Sequence, residues 1–245
     1  MRKTFDAQLE DLNVLLIEMG AQIELALKGC IEALIDRDAE KAKEVVEIEK
    51  LTDMKEREIE DHCYRLILQQ QPVARDLRTI SSALKIITDM ERIGDQAADI
   101  ATLTLKTKSK MIDKDFADLK KMAEETSKMI TAAIDSFVQK NEEKARTVID
   151  NDDIVDNLFE LVREDTVKYI QSDKAKAEKA LNYFMIAKYL ERIGDHATNI
   201  AEWVIYAITG HHAIEFPTEL TEAAREEKLR AKEQEMFNEI LGEKK

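Results

Sequence analysis

Only six glycines and two prolines interrupt the 245-residue chain, and strand-like runs of alternating β-branched and aromatic residues are absent. With Ala, Leu, Ile, Glu and Lys abundant, this scarcity excludes a sheet-based fold and points to an almost wholly helical protein. Long apolar runs are missing too. None approaches the roughly 20 residues that span a bilayer, and Met1-Arg2-Lys3 leads into Asp6, Glu10 and Asp11 where a secretory leader would carry an apolar stretch. Positive charge is in deficit: 37 Lys+Arg against 51 Asp+Glu leave a net charge of −14. Binding to nucleic-acid phosphates or directly to anionic lipid is therefore not expected, and cations or basic protein surfaces suit the chain better. Cysteine is scarce, and Cys30 and Cys63 lack metal-type spacing. They read as small buried hydrophobes in a reducing, cytoplasmic setting. No nucleophile–base pair and no glycine-rich phosphate cradle is present.

What is present is a stretch that occurs twice. Residues 91–101 read ERIGDQAADIA and residues 191–201 read ERIGDHATNIA, with eight of eleven positions identical at an offset of 100. The chain is thus an internal duplication. Each copy places polar residues four apart: Glu91, Asp95 and Asp99 in the first, Glu191, Asp195 and Asn199 in the second. On a helix, residues four apart share a face, and like charges there cost roughly 0.2–0.5 kcal/mol per pair. A stripe repeated against that cost implies a positive partner.

The apolar pattern at spacings of three and four predicts a first helix over about 5–35, a second from the N-cap Asp38 to about Gln70, and a third from the Pro72 break to about Lys110. The plan then repeats. A helix runs from about Lys114 to Lys140, another from the N-cap Asn141 to about Gln171, and a last from Lys174 to Thr209, closed by Gly210. The fold class is all-α: two tandem three-helix bundles of long helices, with a charged C-terminal helical tail. Residues 1–111 form the first three-helix repeat, 112–216 the second, and 217–245 a charged helix or tail.

At an offset of 103 the middle helices match as well, so that Glu49 and Asp53 correspond to Asp152 and Asp156. Each repeat therefore carries an acid pair on its middle helix and an acid stripe on its third. Helices joined by a short break pack antiparallel, which lets the two sets face each other. Converging carboxylate and amide oxygens make a hard-cation site, or a carboxylate-bridged multinuclear one. By the 3.6-residue period Asp95 and Asp99 lie about 40° and 80° round from Glu91, beside the buried seam. Gly94 and Gly194 each cost roughly 0.8–1.0 kcal/mol relative to Ala, which implies close backbone approach to a neighbouring helix at the level of the acids. Glu56-Glu60 repeats the acid spacing without a counterpart in the second repeat, as chance alone would produce. His196, whose counterpart is Gln96, is a weak ligand candidate, and a ferritin-like di-iron centre is excluded because it needs Glu-x-x-His on two helices.

The duplicated ERIGDxA stretches, the acids on the preceding helices and QPVARDLR at residues 71–78 together resemble the PhoU family of phosphate-regulon regulators, over residues 1 to about 215. The resemblance implies two three-helix bundles holding metal, often iron, in multinuclear clusters. The residues implied are Glu49, Asp53, Glu91, Asp95 and Asp99 in one repeat, and Asp152, Asp156, Glu191, Asp195 and Asn199 in the other. Asn199 replaces an acid, so the second cluster is expected to differ from the first. The oxygen-rich ligand set leaves manganese, magnesium, calcium and zinc open beside iron. The resemblance also implies a non-enzymatic negative regulator of phosphate uptake and phosphate-starvation signalling. Such a protein contacts the phosphate ABC transporter and a sensor histidine kinase, and meets the membrane only through the transporter; a homodimer is an open alternative. Two further readings stand beside it: a metal-dependent hydrolase or oxidase, in which bridged metals activate water, and a metal-free helical scaffold.

Overall fold

A computed structural model describes residues 2–36, 38–106 and 117–213. The junction between the repeats and the charged segment 217–245 lie outside the described residues. Seven α-helices are present there: α1 (Arg2–Asp36), α2 (Ala39–Gln70), α3 (Ala74–Lys106), α4 (Ala117–Gln139), α5 (Glu142–Asp150), α6 (Asp152–Ser172) and α7 (Ala177–Thr209). A 3-10 turn at Lys174–Lys176 precedes α7. No described helix is long and apolar enough to cross a membrane.

The heptad-like burial along α1 shows why so long a helix holds. Phe5, Leu12, Leu16, Met19, Ile23, Leu27, Cys30 and Leu34 are all buried, and they form one stripe that packs on α2, α3 and α4. The helix ends are set by local chemistry. The Asp38 carboxylate accepts from the Glu40 and Lys41 amides, and the Asn141 side chain accepts from the Lys144 amide. Such caps supply partners for amides that the first turn leaves unpaired. Gly210 closes α7 at φ 82°, its amide donating to Tyr206, the left-handed position that glycine takes without strain.

One expectation fails. The single helix foreseen from Asn141 to Gln171 is two helices, because the chain turns at Asn151. The Asn151 amide is shared between the carbonyls of Thr147 and Val148, at 3.1 and 3.2 Å. The β-branched run Thr147-Val148-Ile149 and the following Asp150-Asn151-Asp152-Asp153 are weak helix formers. The consequence is functional: Asp152 becomes the first residue of a helix.

The described residues up to Gly210 form one compact unit. Its spine is α3 against α7, with α1 and α2 packed on α3 and α4–α6 packed on α7. Burial follows the duplication: Ile86, Met90, Ile93, Gly94, Ala97 and Ile100 are buried, and so are Ile186, Leu190, Ile193, Gly194, Ala197 and Ile200. Cys30 and Cys63 sit in this core as free thiols, and burial pushes both up to about 12.

Candidate metal centre

In the first repeat the middle of α2 runs alongside the middle of α3. Glu49 and Asp53 sit one turn apart on α2, with Thr52 between them buried and pointing at α3. A Cβ placed on Gly94 would lie 3.3 Å from the Thr52 methyl. The glycine therefore lets α3 approach α2 at the level of the acids, as its helix-breaking cost implied. The result is convergence: one carboxylate oxygen from each of Glu49, Asp53 and Asp95 lie within 4.8 Å of one another.

Glu91, one turn before Asp95, completes the wall. Its side chain is only 15% exposed. Its Oε2 atom is buried without accepting a hydrogen bond, although Arg92 Nε lies 3.2 Å away. Burial first, and then the charges of Asp95, Glu56 and Asp53, push the Glu91 carboxyl up to about 7, against the opposing pull of Arg92. Glu49 is raised by burial and by Asp53 and Asp95. The exposed Arg92 reaches Asp95 at 3.0 Å, a surface pair of small worth.

Glu56 is the residue that sequence reasoning missed. Its carboxyl is raised by burial, then by Glu60 and Asp53, and it in turn raises Glu91. The signal was present, since Glu49, Asp53 and Glu56 follow the i, i+4, i+7 spacing of one helix face. The duplication hid it, because the matching position in the second repeat is Phe159.

The second repeat keeps the frame and changes the charge. Asp152 is pushed up to about 6 by burial, Asp156 and Asp195, with the Thr198 hydroxyl pulling the other way. Asp156 and Asp195 are raised by burial and by Glu191. A Cβ on Gly194 would meet Asp152 Oδ1 and Val155 at 3.5 Å, so α6 and α7 also approach closely. Lys188, however, stands over the Phe159 ring at 5.2 Å and donates to both oxygens of Glu191. Its charge lowers Asp156 and Asp195. The N-terminus of α6 adds partial positive charge beside Asp152. Among the described residues, the trio in the first repeat is where three ligating atoms converge; in the second, a lysine and a helix end offset part of the repulsion from within.

Asp99 and Asn199 lie elsewhere. Asp99 is exposed and sits beside Tyr189 of α7, whose hydroxyl it raises, after burial, by its charge and a hydrogen bond. Asn199 donates to Asp89 Oδ1 of α3 at 3.1 Å, and His196 Nδ1 contacts the same oxygen at 2.8 Å. The two contacts are related by the duplication, position 89 meeting 199 as position 189 meets 99. Both residues therefore bind the repeats to each other. Eight of the ten residues singled out face the two acid clusters, four in each repeat, and these two do not.

With the geometry in place, the comparisons with known proteins fit it closely. The PhoU domain model matches residues 16–104 and 119–204, one match for each repeat. The phosphate-specific transport system accessory protein PhoU homolog of Clostridium acetobutylicum is 37% identical over 210 residues, spanning 85% of this chain and 96% of its own. The Escherichia coli accessory protein PhoU is 31% identical over 206 residues, 84% of this chain and 86% of its own. The crystal structure of PhoU from Pseudomonas aeruginosa superposes with a TM-score of 0.82 at 34% identity, over 84% of this chain and all of that one. Duplicated acid-bearing helix pairs and relatives matched along most of their length lead to one conclusion: the chain belongs to the PhoU family.

Proposed function

We propose that this protein is a metal-binding accessory of the phosphate-specific transport system that restrains phosphate uptake and phosphate-starvation signalling. In this reading it links the cytoplasmic side of a phosphate ABC transporter to a sensor histidine kinase. It performs no catalysis: its relatives are named accessory proteins of that transport system. The observation that carries the metal part is the convergence of Glu49, Asp53 and Asp95 within 4.8 Å, backed by the buried Glu91 oxygen that accepts no hydrogen bond. These residues fit a cation: the donors are all oxygen, which suits iron, manganese, magnesium or calcium. A bound cation would neutralise carboxylates that now repel one another. In the first repeat Glu49, Asp53, Glu91 and Asp95 would hold it, with Glu56 close by. Asp152, Asp156, Glu191 and Asp195 would form a weaker site, because Lys188 already occupies Glu191.

Charge neutralisation also suggests how occupancy reaches a partner, since the net charge of −14 falls locally as the sites fill. Elemental analysis after anaerobic, chelator-free purification tests the reading. Wild-type protein should carry metal, and Glu49→Ala with Asp53→Ala should remove more of it than Asp152→Ala with Asp156→Ala. Lys188→Ala should raise the content of the second repeat. Metal-free wild-type protein would refute the metal part. The regulatory part stands or falls separately: the gene should restore repression of phosphate-starvation genes in a deletion strain, and equal binding to membranes with and without the transporter would refute it.

A further inference from the structure

The QPVARDLR segment plays no part in the acid clusters. It opens α3 at one end of the bundle, and there Arg75, Asp76 and Thr79 form one wall of a cavity of about 290 Å³. Leu9, Phe137, Val204, Ala207 and Ile208 supply its apolar surface, while Asp6, Asn13 and Lys140 add polar groups. That volume lies at the lower end of small-molecule sites. The carboxylates Asp6 and Asp76 each already interact with a neighbour. Arg75 and Lys140 have no ion-pair partner among the described residues, which leaves two cationic groups at the cavity able to meet an anion. With Asp6 and Asp76 in the same lining, added negative charge is repelled, so a ligand of single negative charge held by the two cations suits the cavity better than a polyanion.

The backbone supplies an independent observation. Among the described residues, three non-glycine residues have left-handed φ: Gln71 at 47°, Ala74 at 46° and Lys140 at 51°. Ala74 directly precedes Arg75, and Lys140 itself lines the cavity. Lys140 closes α4 in a Schellman motif: the Asn141 amide donates to Ser136 O at 2.9 Å and the Lys140 amide to Phe137 O at 3.1 Å. Glycine is the usual residue at that position because a Cβ is strained there. A lysine one residue earlier would serve the helix C-terminus equally without strain. Strain retained at a cavity wall points to use of the side chain it carries.

We propose that this cavity binds a small organic monocarboxylate, its carboxylate held between the Arg75 guanidinium and the Lys140 ammonium and its apolar body against Leu9, Phe137 and the end of α7. Arg75 offers the planar fork that matches a carboxylate. The site lies apart from the acid clusters and does not depend on their metal content. Calorimetric titration of the full chain with phenylacetate tests it. Saturable binding in the roughly millimolar range or tighter is expected, with acetate and phenethyl alcohol each weaker by about tenfold or more. Arg75→Gln and Lys140→Gly should each weaken phenylacetate by about tenfold. Lys140→Gly should at the same time melt roughly 1–4 °C higher, because it relieves the left-handed strain. Absence of saturable binding would overturn the proposal. So would equal binding of the alcohol, which lacks the charge, or of acetate, which lacks the body. Undiminished binding to Lys140→Gly, or a lower melting temperature for that variant, would overturn it too.

Discussion

Neutralising Glu91 should stabilise the chelated protein, and the structure says by how much and at which pH. Glu91 is held at about 7 against an ordinary 4.5, chiefly by burial and by Asp95. An acid whose folded pKa is raised favours the folded state most below its unfolded value, and that advantage is lost as pH rises through the folded value. The window is therefore roughly pH 4.5 to 7. At about 1.4 kcal/mol per pH unit the ceiling is about 3 kcal/mol. Solvent reaches the cluster and screens it, so about 1–2 kcal/mol is expected at pH 8. For a chain of this size that is a rise in Tm of roughly 2–8 °C. The measurement is a set of thermal melts of wild type and Glu91→Gln in excess chelator from pH 4.5 to 8. The two curves should coincide near pH 4.5 and separate with rising pH, the variant being more stable. With metal restored the order should reverse, because the variant has lost a ligand and the stabilisation that bound metal gives. Coincident curves at pH 8, or a variant less stable in chelator, would refute the reasoning. Glu91 is a better choice than Asp95, which accepts a hydrogen bond from Arg92 at 3.0 Å, whereas the buried Glu91 Oε2 accepts none.

The two glycines at the acid level should separate under alanine substitution. Gly194→Ala adds a Cβ at an ordinary 3.5 Å from its neighbours and should gain most of the roughly 0.8–1.0 kcal/mol of helix propensity. Gly94→Ala meets Thr52 at 3.3 Å and should gain less or lose stability, so a Tm for Gly94→Ala above that of Gly194→Ala would contradict the close approach. Cys30 and Cys63 should resist a thiol reagent in native protein at pH 8 and react on unfolding, since burial raises both to about 12; fast native labelling of either would contradict their burial.

Apart from the break at Asn151 and the 3-10 turn before α7, the helices, the caps at Asp38 and Asn141 and the duplication were legible in the sequence because each rests on local rules. Apolar spacing fixes the buried stripe, Asp38 and Asn141 cap from within three residues, and Gly210 ends α7 where a left-handed residue is needed. The acids four apart were legible for the same reason, as was the glycine beside each cluster. What the sequence by itself could not decide is which acids converge, because that depends on how two helices cross. An i+8 residue lies about 80° round from the first. Tertiary packing turned Asp99 and Asn199 toward the other repeat, where Tyr189 and Asp89 meet them. Packing also set Glu56 of α2 against Glu91 of α3, and Lys188 of α7, already paired along its own helix with Glu191, against Asp156 of α6. Both had been hidden by the rule that revealed the rest: a repeat identifies positions that stayed alike after duplication. Glu56 against Phe159 and Lys188 against Thr88 are positions that diverged. Local physics fixed the two frames, and contacts between distant residues made one of them a cluster of repelling carboxylates and set a lysine against Asp156 in the other.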